Sequence, residues 1–179
     1  MLRQDMTFPT LDTLLDVWKF AREGAVLKGD LSILSLPRLT DCLAEEVEMD
    51  SLAALVFSLQ GKPGKHSRPR LEIRVSGILP LRCQRCLLPV EASLDIDSLL
   101  ELVAEETFSE AEEEQESGEV ELLPLPSGKK GMRTARELLE EEILLALPGV
   151  PRHAECQTPS ASEDMVSHSF AALSDWRRR

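Results

Sequence analysis

Two runs of strict alternation dominate the hydrophobic pattern. Leu71, Ile73 and Val75 alternate with Arg70, Glu72 and Arg74, and further on Val90, Ala92, Leu94 and Ile96 alternate with Glu91, Ser93, Asp95 and Asp97. A period of two sends successive side chains to opposite faces of a strand, so each run predicts a strand with one apolar and one charged face. Leu55, Phe57 and Leu59 share one face of a preceding strand within residues 51–60, and the turn-rich residues 61–69 follow it. These three strands predict an antiparallel β-meander. Cys83 and Cys86 fall between the two alternating runs, so they are expected at the turn between antiparallel strands.

A different period appears at either side of the meander. Leu11, Leu14, Leu15 and Trp18 recur at i, i+3, i+4 and i+7, and Gly24 follows, which predicts an amphipathic helix over residues 10–23. A short strand is expected at residues 31–34, then a turn or short helix through Leu36-Pro37-Arg38-Leu39 to Leu43. Thr134 and Glu137 have the spacing of a capping box, in which each side chain satisfies the other residue's free backbone amide. The helix that it opens presents Leu138, Leu139, Ile143, Ala146 and Leu147 as a buried face, with Glu140, Glu141 and Glu142 on the solvent side, and ends at Pro148-Gly149. The expected class is α+β: a meander whose apolar face is covered by two amphipathic helices. One domain is expected over residues 1–157, followed by a polar, flexible tail at 158–179. Residues 105–118, EETFSEAEEEQESG, are too acidic and too poor in apolar side chains to bury themselves, and read as a mobile loop. Order is expected again near residues 120–123.

Charge sharpens the picture. The 179 residues carry a net charge of -12, which disfavours nucleic-acid binding over the whole surface and favours basic partners. The distribution is bipolar. Between residues 61 and 86 stand Lys62, Lys65, Arg68, Arg70, Arg74, Arg82 and Arg85 against one acid, Glu72; residues 87–128 contain no Lys or Arg. Lys62, Lys65, Arg68 and Arg70 are candidate RNA contacts. The competing reading is internal neutralisation by Glu91, Asp95 and Asp97 across the strand ladder. Tyrosine is absent and aromatics make up 4% of the chain, so base stacking on aromatic rings has little support. Glu112, Glu113, Glu114 and Glu116 are candidate contacts for a basic protein. As a solvated run they lack the burial that would separate two catalytic carboxyl pKa values. The chain has no glycine-rich phosphate loop, Ser/His/Asp arrangement or nucleophile elbow, so no enzymatic activity and no small-molecule substrate are expected. No apolar run approaches the roughly 20 residues of a membrane helix, and the N-terminus lacks a signal-peptide pattern, so a cytoplasmic protein with reduced thiols is expected.

Cys83-x-x-Cys86 and His153-x-x-Cys156 are two half-sites for a tetrahedral metal ion. Three thiolates and one imidazole suit zinc. Two other readings of the first pair stay open: a redox dithiol activated by Arg82 and Arg85, or turn residues without a ligand. Cys42 reads as a small core side chain, and His66 and His168 as surface residues.

The segments CQRCLLPVEASLDIDSLLELVAEE and ELLEEEILLALPGVPRHAEC, together with GDLSILSLPRLTDCL, resemble the YceD family of large ribosomal RNA subunit accumulation proteins. The positions matching that family's pattern are Cys83, Arg85, Cys86 and Leu87 in the knuckle, Glu141, Glu142, Leu147 and Pro148 in the helix, and Cys156 beyond it. The resemblance implies a cytoplasmic, non-enzymatic factor in ribosome biogenesis that supports large-subunit ribosomal RNA. Two routes to that role are compatible with it: capture of a basic ribosomal protein or pre-ribosomal particle by the acidic run, or direct RNA contact by the basic hairpin. Some relatives carry further cysteines past the helix, where this chain has only Cys156.

Overall fold

The computed structural model describes residues 10–45, 47, 52–64, 68–106, 108 and 120–156. Its elements in chain order are β1 (Leu14–Asp16), α1 (Val17–Arg22), β2 (Val26–Leu31), α2 (Pro37–Thr40), β3 (Leu55–Lys62), β4 (Arg70–Arg82), β5 (Pro89–Ala104), β6 (Glu121–Leu125), β7 (Met132–Thr134) and α3 (Ala135–Ala146). A five-stranded sheet runs in the order β2-β3-β4-β5-β6, and β1 pairs with β7 in a separate ribbon. The class is α+β. Neighbours β2 to β5 are antiparallel, whereas β6 runs parallel to β5, so the sheet is mixed and not a pure meander.

Alternation accounts for the core. Leu55, Phe57 and Leu59 of β3, Leu71, Ile73, Val75, Leu79 and Leu81 of β4, and Leu94, Ile96, Leu100 and Leu102 of β5 are all buried in one cluster. Leu138, Leu139 and Ile143 of α3 join the same cluster, as do Val17, Phe20 and Ala21 of α1. The approach of α1 to β3 is close: a Cβ at Gly61 would stand 2.5 Å from the Phe20 carbonyl oxygen and 2.7 Å from that of Ala21. Glycine is therefore needed there. Among the described residues no helix is long and apolar enough to cross a membrane.

The helix expected over residues 10–23 is only α1. Residues 10–13 form a turn closed by Thr13 N–H donating to the Thr10 carbonyl at 3.0 Å, and the next residues pair with β7 as β1. The Leu14-Leu15 pair fits a strand as well as a helix, and its burial follows the strand: Leu14 is exposed and Leu15 buried. Asp16 then caps α1 by accepting from Lys19 N–H at 2.9 Å, and Gly24, at φ +64°, follows the helix as expected. The strand expected at 31–34 lies earlier, at β2, and Ile33–Ser35 forms a 3-10 turn.

The Thr134–Glu137 capping box is present, with donor–acceptor distances of 2.8 and 3.1 Å. The glutamates after it correct the expected wet face. Glu141 is exposed, but Glu140 and Glu142 are buried, while Ala146 is exposed. The Glu140 carboxylate accepts from the backbone N–H groups of Arg38 at 2.7 Å and Leu39 at 3.2 Å. It thus caps α2, which opens with Pro37 and has no side-chain cap of its own.

Candidate metal centre

The turn between β4 and β5 is closed locally by two backbone bonds. Cys83 N–H donates to the Leu88 carbonyl at 3.0 Å, and Leu87 N–H donates back to Cys83 at 2.9 Å. Leu87 takes φ +68°, a left-handed conformation that is uncommon for a branched aliphatic residue. The segment after α3 then crosses this turn, tied by Gln84 N–H to the Pro151 carbonyl at 2.9 Å. On the other side, Cys42 and Ala44 continue the sheet beside β4 where β3 has ended: Arg82 N–H donates to Cys42, Ala44 N–H donates to Pro80, and Leu43 bridges Leu81.

These connections bring Cys83, Cys86, His153 and Cys156 together, with one ligand atom from each lying within 4.8 Å of all the others. Cys83 Sγ is 3.9 Å from Cys156 Sγ, and Cys86 Sγ is 3.4 Å from His153 Nδ1. Tetrahedral bonds of about 2.3 Å to sulfur and 2.0 Å to nitrogen would set sulfurs about 3.8 Å apart and sulfur from nitrogen about 3.5 Å. Both of these pairs already match those edges. His153 Nε2 stands 2.8 Å from the Pro89 carbonyl oxygen, which can only accept. A neutral ring donating from Nε2 turns its Nδ1 lone pair towards Cys86, the arrangement a metal-ligating imidazole requires.

Electrostatics favour the same chemistry. The backbone N–H of Cys86 points at Cys83, and with N–H groups of Arg85 and His153 it outweighs burial, lowering the Cys83 pKa from 9.0 to about 5. Burial pushes the Cys156 thiol up, and its neighbours Cys83 and Cys86 push it further. A lowered thiol pKa also suits redox chemistry. Cys83, however, is fully buried in the turn of a β-hairpin, not in the βαβ setting of a thioredoxin-like dithiol. Cys42 is half-buried against the core, its thiol directed at the Arg38 carbonyl at 3.7 Å.

The basic stripe has a different fate. Arg70 places Nε 2.7 Å and Nη2 2.6 Å from Glu101 Oε2, and Arg68 reaches Glu101 Oε1 at 3.7 Å. Lys62 pairs with Glu72, which also receives Arg74 Nη2 at 3.0 Å, while Arg74 Nε reaches Asp97 at 3.2 Å. The side chains of Glu72 and Glu101 are 10% and 3% exposed, so each needs its cations. Register predicts part of this, since Arg74 lies opposite Asp97 and Arg70 opposite Glu101. Glu91 and Asp95 instead lie opposite Pro80 and Ser76. Lys65, His66, His168, Glu112, Glu113, Glu114, Glu116 and the tail fall outside the described residues, as does most of the acidic segment.

Residues 71–173 match the model of the family described as Large ribosomal RNA subunit accumulation protein YceD. The chain belongs to the YceD family. No match was found among curated proteins or among solved structures. The YceD match begins inside β4 and spans the knuckle, β5, β6, α3 and all four candidate ligands. Membership carries a role in large-subunit ribosomal RNA accumulation, and nothing among the described residues points to catalysis.

Proposed function

We propose that this YceD protein is a cytoplasmic, non-catalytic binding factor in large-subunit assembly, and that its acidic segment captures a basic ribosomal protein or a pre-ribosomal particle. One observation carries the choice. Lys62, Arg68 and Arg70, the described cations of the candidate RNA stripe, are engaged by Glu72 and Glu101. No matching set of cations follows in the sequence until Lys129, so the surplus of charge in residues 105–121 is negative. Anionic surfaces speed the capture of cationic partners and add selectivity. In this reading zinc bound by Cys83, Cys86, His153 and Cys156 is structural, fixing the knuckle against the C-terminal segment.

A pull-down from cell extract tests the capture. Replacing Glu112, Glu113, Glu114 and Glu116 with Gln should reduce recovery of ribosomal proteins severalfold and weaken its dependence on salt. Equal recovery by the variant would remove the acidic segment from the mechanism.

A further inference from the structure

The knuckle end has an exposed surface that the acidic segment does not account for. Arg85 and Arg152 are exposed and have no ion-pair partner among the described residues, whereas Arg82 pairs with Glu45 at 3.6 Å. Between them the turn displays Leu87 and Leu88, 59% and 48% exposed, with Leu87 held in its left-handed conformation. Two neighbouring exposed leucines, one in a left-handed conformation, beside two arginines without ion-pair partners make this turn a candidate contact surface.

Position separates this surface from the acids gathered at the other end of β5. β5 begins beside the knuckle and runs 16 residues to Ala104, about 50 Å of strand at roughly 3.3 Å per residue. The described acids Glu101, Glu105, Glu106 and Glu121 lie at its far end, beyond several screening lengths of roughly 8 Å. At the knuckle end Asp41, Glu45, Glu91 and Glu155 are also exposed, so the surface is locally mixed and its affinity should be modest.

We propose that the knuckle end contacts single-stranded ribosomal RNA, with Arg85 and Arg152 on phosphates and Leu87 and Leu88 against an unstacked base. Sequence-specific RNA recognition uses unstacked bases and guanidinium groups, and an RNA-accumulation family supplies the polymer. The inference deepens the reading above: the protein becomes a bridge, with the acidic segment holding a basic protein and the knuckle end holding RNA.

Fluorescence anisotropy with the full chain and a labelled, unstructured 20-nucleotide RNA tests this at 50 and 150 mM salt. Arg85→Ala with Arg152→Ala should weaken binding at least fivefold and flatten the log–log salt slope by about 1.4, two contacts at roughly 0.7 each. Leu87→Ala with Leu88→Ala should weaken binding with the slope unchanged. Lys28→Ala, an exposed cation on the open sheet face, should bind as the natural chain does. No binding at 50 mM salt, or a double arginine variant no weaker than Lys28→Ala, overturns the proposal. So does a photo-crosslinker at position 87 that captures protein and no RNA in cells. The ribosomal-protein pull-down should be unaffected by the knuckle variants, so the two readings fail separately.

Discussion

Glu142 shows how much a single side chain can depend on its surroundings. Adjacent glutamates in a helix read as a solvated face, yet Glu141 faces solvent while Glu142 is buried and hydrogen-bonded to Ser98 of β5. Burial raises its pKa from the usual 4.5; repulsion from Glu121 and Glu141 adds to this, and a hydrogen bond from Ser98 opposes it. A carboxyl whose folded pKa is raised favours the folded state only while protonated. Its stabilising share is complete below the unfolded value and disappears as pH rises through the folded value. Glu142→Gln should therefore melt at a higher temperature than the natural chain at pH 7.5, with the difference closing as pH falls towards 4. A variant that melts lower at neutral pH would mean that the carboxylate's favourable contacts, the Ser98 hydrogen bond among them, outweigh its burial. Nothing in the sequence marks Glu142 apart from Glu141, because the distinction is set by which strands lie over that face.

At the scale of elements, Glu140 joins two segments that the sequence leaves unrelated. α2 is one turn long, too short to hold itself, since the first turn of a helix fixes several residues for little hydrogen bonding. A carboxylate from α3, across 101 or 102 positions of sequence, supplies the missing acceptor for two of its N–H groups. α2 leads directly into residues 42–44, which line the end of β4 next to Cys83. Glu140→Ala should cost about 2–3 kcal/mol in urea unfolding, and Glu140→Gln, which keeps an oxygen acceptor, about half as much. Changes under 0.5 kcal/mol in both would show that α2 stands without its cap. The same scale separates what was legible from what was not. Strict alternation placed β4 and β5 and, between them, the cysteine turn; the capping box placed the start of α3. The first helix was overextended because a leucine pair serves either period, and only β7, far along the chain, decides for a strand. β6 was expected as returning order but not as a parallel edge, since a short apolar run carries no direction.

For the molecule as a whole, the question is which parts the candidate metal centre holds. The hydrophobic cluster between sheet and helices extends through β3, β4, β5, α1 and α3 without needing the cysteines. By contrast, the crossing segment 147–156 meets the knuckle through Gln84 N–H, the Pro89 carbonyl and the four ligand side chains. Zinc should therefore stabilise one end of the molecule and leave the core's folding intact, unlike small zinc fingers that unfold without metal. Protein purified without a tag or chelator should contain close to one zinc per chain. After chelation, hydrogen exchange should accelerate at residues 83–91 and 147–156, while amides of β3 and the buried middle of β4 keep their protection. Cys86→Ser should reproduce the exchange pattern without chelator. Protection lost throughout would make the ion part of the core, and protection unchanged at the knuckle would mean that backbone bonds alone hold the turn. Local loosening has a functional reading as well, because Arg85 and Arg152 belong to different segments joined at this centre. Metal removal should then weaken RNA binding by the knuckle end without weakening capture by the acidic segment.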